Sequence, residues 1–265
     1  MNLAGRLREM LSEQIEYREL LVQLTMRDLL LRYRQTVIGL GWAALMPVIN
    51  TAVFSIIFVR VTQVDTPVPY PLFAYTGFLV WNFFASSVRF SMSSLTGNAN
   101  LVQKVYFPRE IFPFSAVLVG LVDLMVGSVV LAALMAYYGF SVTPALLFLP
   151  IVVVVGAAFT AGMALLLAMS NLFYRDVKYL FEVVLMAWMF ATSVAYPVES
   201  VDGLLGILLS VNPMTQIIEG YRDVVLYGHL PAAAPFAATA CASVIVLMLG
   251  WHLFHKAEFS FAENI

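Results

Sequence analysis

Apolar residues along the 265-residue chain gather into six runs, at 37–59, 71–88, 111–138, 145–170, 179–196 and 231–254. A helix of about 20 apolar residues crosses the hydrocarbon core of a bilayer, so each run predicts one membrane-spanning helix. The runs carry almost no charge; Asp123 interrupts the third and Glu182 the fifth. A turn-rich segment, DTPVPYP, leads into the second run. A seventh apolar stretch, GLLGILLSV at 203–211, is too short to span and ends at Asn212-Pro213, which predicts a re-entrant or interfacial helix. Before the first run, Leu3, Leu7, Leu11 and Ile15 recur every four residues, followed by Leu20, Leu21 and Leu24, with charged residues between them. That spacing predicts an amphipathic helix or helix pair lying along the inner interface. The expected fold is therefore an all-α integral membrane protein. It has an amphipathic cytoplasmic element over 1–35, a six-span domain over 36–256 and a cytoplasmic tail over 257–265.

Composition excludes a soluble domain. Hydrophobic residues make up 62% of the chain and charged residues 11%, with a mean hydropathy of +0.89. Soluble domains carry about 25% charged residues, and a chain this poor in charge cannot cover a water-facing surface. In a membrane the placement of Lys and Arg orients the chain, and the net charge of −2 does not. With a cytoplasmic N-terminus, all basic residues except Arg60 and Arg222 fall on the inner side, so both termini are expected there. The single cysteine, Cys241, lies inside an apolar run and allows no intrachain disulfide. Residues 1–35 are rich in charge and lack a continuous apolar core, so no cleavable leader is expected. The chain shows no internal repeat and no low-complexity tract.

Missing motifs exclude further classes. There is no Gly-x-x-x-x-Gly-Lys-Ser/Thr phosphate loop and no Gly-Lys dipeptide, so the chain is not itself a P-loop ATPase. His229, His252 and His255 sit at the edges of the last run without acidic or cysteine partners at ligand spacing. They read as interfacial side chains, and no metal site is expected. Neither a Gly-x-Ser-x-Gly elbow nor a facing pair of carboxylates is present, so no catalytic set is expected. A charge at the centre of a span costs about 2.5–3.5 kcal/mol on insertion scales. Asp123 therefore either bonds a Ser or Thr of a neighbouring helix or lines a polar path. Glu182 follows Lys178 by four residues, which predicts an i,i+4 pair.

The densest positive cluster, Arg27, Arg32 and Arg34, stands against the start of the first run in RDLLLRYRQTVIGLGWAALMP. As topology anchors these arginines would pin the first span. Helical spacing puts Phe54 and Phe58 on one face and Trp81 and Phe84 on another. With Trp188 they read either as membrane-facing packing or as the aromatic lining of a conduit, on whose faces sugar rings stack. Between the second and third runs lies NANLVQKVYFPREIFP. Pro108 disfavours helix at Phe107 and predicts a short helix, a break and then the third span. Its apolar residues Leu101, Val102, Val105, Tyr106 and Phe107, beside Lys104 and Arg109, form a surface suited to docking.

Three stretches, RDLLLRYRQTVIGLGWAALMP, LVQKVYFPREIFP and NPMTQIIEGYRDVVLYG, resemble the signature regions of type-2 ABC exporter permeases. They are most similar to the branch that exports O-antigen, teichoic acid and related polysaccharides. The resemblance extends over essentially the whole chain, including the FAENI end. It implies a homodimer in the bacterial inner membrane with two cytoplasmic ABC ATPase subunits. ATP and Mg would be held by those subunits, with no cofactor in this chain. It implies a polymer on a polyprenyl pyrophosphate or other lipid carrier as substrate, contact with membrane lipids, and no nucleic-acid partner. The coupling helix would lie over 98–110, carried by Asn98, Leu101, Val102, Gln103, Lys104, Val105, Tyr106, Phe107, Arg109 and Glu110. An outward-side cap would lie over 201–227, and the N-terminal amphipathic helix would also meet the ATPase. Arg27, Arg32 and Arg34 would stand where an anionic lipid head group enters, and Phe54, Phe58, Trp81, Phe84 and Trp188 would line the channel. An exporter of drugs or lipids with the same permease fold stays open on the sequence. So does a membrane enzyme acting on lipid-linked sugars, for which NLFYRDVKYLFE is the nearest approach to a catalytic cluster. A proton-coupled carrier through Asp123 fits less well, because six spans without a repeat suit a half-transporter.

Overall fold

The structure, a computed structural model, describes residues 15–34, 36–58, 66–104, 107–198 and 203–261, and no strand occurs among them. The expected repeat of Leu3, Leu7 and Leu11 lies outside the described residues, as do Arg60, Val105, Tyr106 and residues 262–265. Ten α-helices follow one another in the described chain. They are α1 (Arg18–Tyr33), α2 (Gly41–Ile57), α3 (Tyr70–Gly97), α4 (Ala99–Lys104) and α5 (Ile111–Tyr137), then α6 (Leu149–Phe173), α7 (Val177–Phe190), α8 (Gly203–Val211), α9 (Pro213–Arg222) and α10 (Ala233–Ala257).

Local chemistry sets several boundaries. Proline stands in the first turn of α3, α6 and α9, where its missing N–H is not needed. The Asn212 side chain caps α9 by accepting from the Met214 N–H at 3.1 Å. Helix α5 ends on Gly139 at φ 73°, and the Phe140 N–H returns to the Met135 carbonyl at 2.9 Å, closing the C-terminus in a left-handed turn.

Three helical stretches, Ile111–Tyr137, Pro144–Phe173 and Ala233–Ser260, are long and apolar enough to cross a membrane, and Gly41–Ile57 is a shorter apolar helix. The other two predicted spans depart from the pattern in opposite ways. Helix α3 runs to Gly97, nine residues past the end of the second apolar run, and spans about 42 Å at 1.5 Å per residue. It is the central element, packed along α5 and α6, and polar groups of its second half bond across to α6. Ser91 donates to the Ala164 carbonyl at 2.7 Å, and Asn171 of α6 donates to the Met92 carbonyl at 2.7 Å. Helix α7 is only 14 residues long and stops at Phe190, six residues before the end of the fifth run. Residues 191–198 then turn back toward the bundle.

Two apolar clusters mark opposite ends. The larger joins the start and middle of α3 to α5, α6 and α9. The smaller joins α1, α4 and the ends of α3, α6 and α10 around Val102, Phe112 and Phe254. Helices α6 and α10 touch backbone to backbone: a Cβ on Gly162 would lie 2.6 Å from the Leu247 nitrogen, and one on Gly250 2.6 Å from the Gly162 oxygen. Small residues at such a crossing let helices approach closely in a membrane.

Candidate functional site

A cleft of about 450 Å³ opens between α1, α2, α3 and α5. Arg32, Tyr33, Asn50, Asn82, Ser86, Arg89 and Asp123 line it, with Trp42 and Phe90 among the aromatic walls. Asp123 is not bonded to a Ser or Thr of a neighbouring helix. The Tyr33 hydroxyl donates to its Oδ1 at 2.5 Å, and Arg32 Nη1 lies 2.6 Å from its Oδ2. The latter contact lacks the alignment of a directed hydrogen bond, so it is an attraction of charges. Arg32 also lies over the Phe90 ring, 4.2 Å from its centroid. Burial, reinforced by Asp123, pushes the Tyr33 phenol well above its ordinary pKa, so it stays a donor at neutral pH. The Nδ2 of Asn82 is buried with no hydrogen-bond partner. The cleft thus holds an arginine with unspent donors beside an unspent amide, which equips it to bind an anionic or hydroxyl-rich group.

The three opening arginines separate. Arg32 lines the cleft; Arg27 pairs with its neighbour Asp28 at 2.7 Å; Arg34 is exposed just past α1. Sequence reading missed Arg89, which also lines the cleft. Arg89 takes Glu182 at 2.9 Å, so the expected Glu182–Lys178 pair gives way to a link from α7 to α3. The Lys178 ammonium instead lies 4.7 Å from the centroid of the Tyr179 ring.

At the opposite end sits a second arginine, Arg222, whose side chain is 0% exposed. Its Nη1 donates to the Ser193 carbonyl at 2.7 Å, to Ser193 Oγ at 3.0 Å and to Glu219 Oε1 at 2.9 Å. Its Nη2 donates to the carbonyls of Val194 at 2.7 Å and Phe73 at 3.1 Å, and the guanidinium stacks 3.5 Å from the Phe73 ring centroid. Ser193 Oγ also donates to Glu219. The carbonyls freed where α7 breaks are therefore satisfied by an arginine of α9. Asn212 adds donations to the Ala191 carbonyl at 2.7 Å and to Thr192 Oγ1 at 2.9 Å.

In the predicted coupling segment, the described residues face two ways. Val102 and Phe107 are buried in the smaller cluster, Leu101 packs against it, and Gln103 and Lys104 are exposed. Asn98 donates to the Ser94 carbonyl at 2.8 Å and closes the end of α3. Arg109 turns inward: its Nη1 reaches the Glu258 carbonyl at 2.6 Å and its Nη2 the Val102 carbonyl at 3.2 Å. Glu110 is buried against His255 at 3.2 Å.

The five aromatics proposed for the channel meet in two groups. Phe54 and Phe58 stack at 5.9 Å beside Phe78, and Trp81, Phe84 and Trp188 join Phe159 in a cluster with Phe84 and Trp188 at 5.2 Å. Trp81 and Phe84 are interior; Phe54, Phe58 and Trp188 are half-buried on the edge of the same core.

The sequence also matches known proteins. Residues 19–226 match the family model described as ABC-2 type transporter. The O-antigen export system permease protein RfbA of Myxococcus xanthus is 31% identical over 255 residues, covering 96% of this chain and 98% of that one. Two proteins of the same description from Klebsiella pneumoniae are 30% and 27% identical, each covering 92% of this chain and 94% of their own length.

Proposed function

The chain belongs to the ABC-2 type transporter family, and from that premise we propose that it is the membrane subunit of an ATP-driven exporter of a lipid-linked polysaccharide such as an O-antigen. The carrying observation is the match to O-antigen export permeases along nearly the full length of both chains. A permease of this family is a multi-pass membrane subunit and leaves ATP hydrolysis to an ABC ATPase partner. In our reading this chain works as a homodimer with two cytoplasmic ATPase subunits, which hold the ATP and Mg. It crosses the inner membrane six times, with both termini cytoplasmic. Helix α3, shielded within the bundle, and α7, with its adjoining turn, count among the six.

Arg32 supplies the entry point for the carrier's phosphate, with Arg27 and Arg34 as flanking positive charge. The cleft beside Arg32 supports this, because a guanidinium with open donors matches phosphate in a planar, two-point fashion. Residues 98–110 meet the ATPase through the exposed Gln103 and Lys104, with Val102 and Phe107 fastening the segment to the bundle. Phe54, Phe58 and Trp188 form the aromatic wall of the polymer path, backed by Trp81 and Phe84. The outer cap lies over 201–227. Exposed apolar faces support the dimer and lipid contacts: Ile49, Val53 and Ile56 on α2, and Leu180, Val183 and Met186 on α7.

A deletion strain tests the proposal. It should lose its surface glycan and accumulate the lipid-linked polymer inside, and the chain expressed in trans should restore export. The purified chain alone should turn over no ATP, and turnover should appear with the partner ATPase. Intact surface glycan in the deletion strain, with drug-stimulated ATPase in the complex, would sink the polysaccharide reading in favour of a drug exporter.

A further inference from the structure

One cluster of polar side chains is used neither by the cleft nor by the arginine clamp. Glu110 stands at the start of α5, His255 in the last turn of α10, and Glu258 in the short turn that follows. Glu110 Oε1 lies 3.2 Å from His255 Nδ1, and Glu258 Oε2 lies 3.6 Å from the same nitrogen. One ligand-capable atom from each residue falls within 4.8 Å of the others. We propose that Glu110, His255 and Glu258 bind one divalent transition-metal cation of the zinc or manganese class, joining the segment before α5 to the end of α10.

The spacing suits such an ion. Four-coordinate zinc with bonds of about 2.0–2.2 Å holds its donor atoms about 3.4 Å apart, and the two measured edges bracket that figure. A second observation is independent of the spacing. Glu110 is 1% exposed, and its Oε2 is buried with no hydrogen-bond partner. A desolvated carboxylate oxygen without a donor is unfavourable, and a cation bound by that carboxylate relieves it. Glu258 is already oriented from outside the cluster. The Arg109 N–H donates to its Oε1 at 3.0 Å and leaves Oε2 toward His255, as supporting hydrogen bonds orient metal ligands elsewhere. The nearby guanidinium of Arg109 is directed to the carbonyls of Glu258 and Val102. Two carboxylates and one imidazole form a mixed oxygen and nitrogen set. Magnesium and calcium favour all-oxygen shells, whereas zinc and manganese accept imidazole with carboxylate.

The consequence for transport rests on reading residues 98–110 as the ATPase-facing segment; the binding itself does not. A cation here would staple that segment to the last span, so movement of one would be passed to the other.

The test uses the permease–ATPase complex, purified on a tag that does not chelate metals and stripped with EDTA. Zn²⁺ and Mn²⁺ are titrated by calorimetry, and metal retained after desalting is counted by mass spectrometry. One cation per permease chain is expected, with affinity reduced at least tenfold in E110Q, H255A and E258Q. Because a variant can fail to fold, Co²⁺ is also loaded into the wild type, where a four-coordinate site gives intense visible d–d absorption that Zn²⁺ displaces. Wild-type protein that retains no Zn²⁺ or Mn²⁺, or folded variants that bind as tightly as wild type, overturns the proposal. Glycan export is scored separately, so a negative result here leaves the transport reading standing.

Discussion

Two arginines set against carboxylates, Arg222 fully buried and Arg32 half-buried at a cleft wall, are handled in opposite ways. Arg222 spends two of its three nitrogens on five oxygens and stacks its plane on Phe73. Arg32 makes one close but poorly aligned contact with Asp123, and a cleft opens beside it. A guanidinium whose two terminal nitrogens are both spent and whose side chain is fully buried is a structural fastener, because a ligand has no access to it. A partly spent one at a cavity wall can take up an anion without first breaking its own bonds. The presence of such a charge is thus less informative than whether a ligand can reach its donors.

The largest effect on stability is expected at the fastener. Arg222→Met removes the charged partner of Glu219 and the donor to four other oxygens and should cost about 3–5 kcal/mol, as breaking a buried pair does. Thermal melting of the purified protein should fall sharply, and expression in the membrane with it. A variant melting with wild type would remove the structural reading of Arg222. Gly77→Ala comes next. Its added Cβ would collide with the Val194 carbonyl oxygen and Arg222 Nη2, so α3 would have to leave the α7 break. Overpacking of that kind costs about 1–3 kcal/mol. The melting loss should be absent when the same change is made at Gly97, where nothing lies within 4 Å.

At the open site the stability effects shrink. Tyr33→Phe removes one hydrogen bond to Asp123 and should cost about 1 kcal/mol, measured by denaturation of the purified protein. Lysine at all three of Arg27, Arg32 and Arg34 should change stability by no more than about 1 kcal/mol, because lysine keeps the charge beside Asp123 and loses mainly the stacking on Phe90, and should leave topology intact. Export should nevertheless fall several-fold, since lysine keeps the charge but loses the planar match to phosphate. Single substitutions should assign most of that loss to Arg32. Full export by the triple variant at normal expression would reduce the cluster to a topology anchor.

The two predicted spans that departed from the pattern show where local reading stops. Helix α3 looked shorter than it is because Arg89, Ser91, Ser93 and Ser94 lower the hydropathy beyond Val88. The Ser91 hydroxyl is satisfied by the Ala164 carbonyl of α6, and that of Ser94 by its own helix. Helix α7 looked longer than it is because residues 191–196 are mostly apolar. The helix can stop there only because Arg222, Asn212 and Tyr70, all distant in sequence, supply partners for the carbonyls of Ala191, Ser193, Val194 and Ala195. His255 was read as an interfacial side chain without acidic partners, yet it faces Glu110 from 145 residues away. Arg89 and Asn82 stood in the sequence as polar residues within or just beyond an apolar run, and that signal could have marked the cleft.

What the sequence determined by itself was the membrane setting and the all-helical character. These depend on run length, proline and glycine placement and the spacing of apolar residues, all properties of neighbouring positions. What only the tertiary structure decided was which polar groups meet. Phe73 and Arg222 are 149 residues apart, and Tyr33 and Asp123 are 90. Such pairs leave no periodic trace, because in an apolar medium a buried donor is satisfied by whichever acceptor the packing of helices brings within about 3 Å.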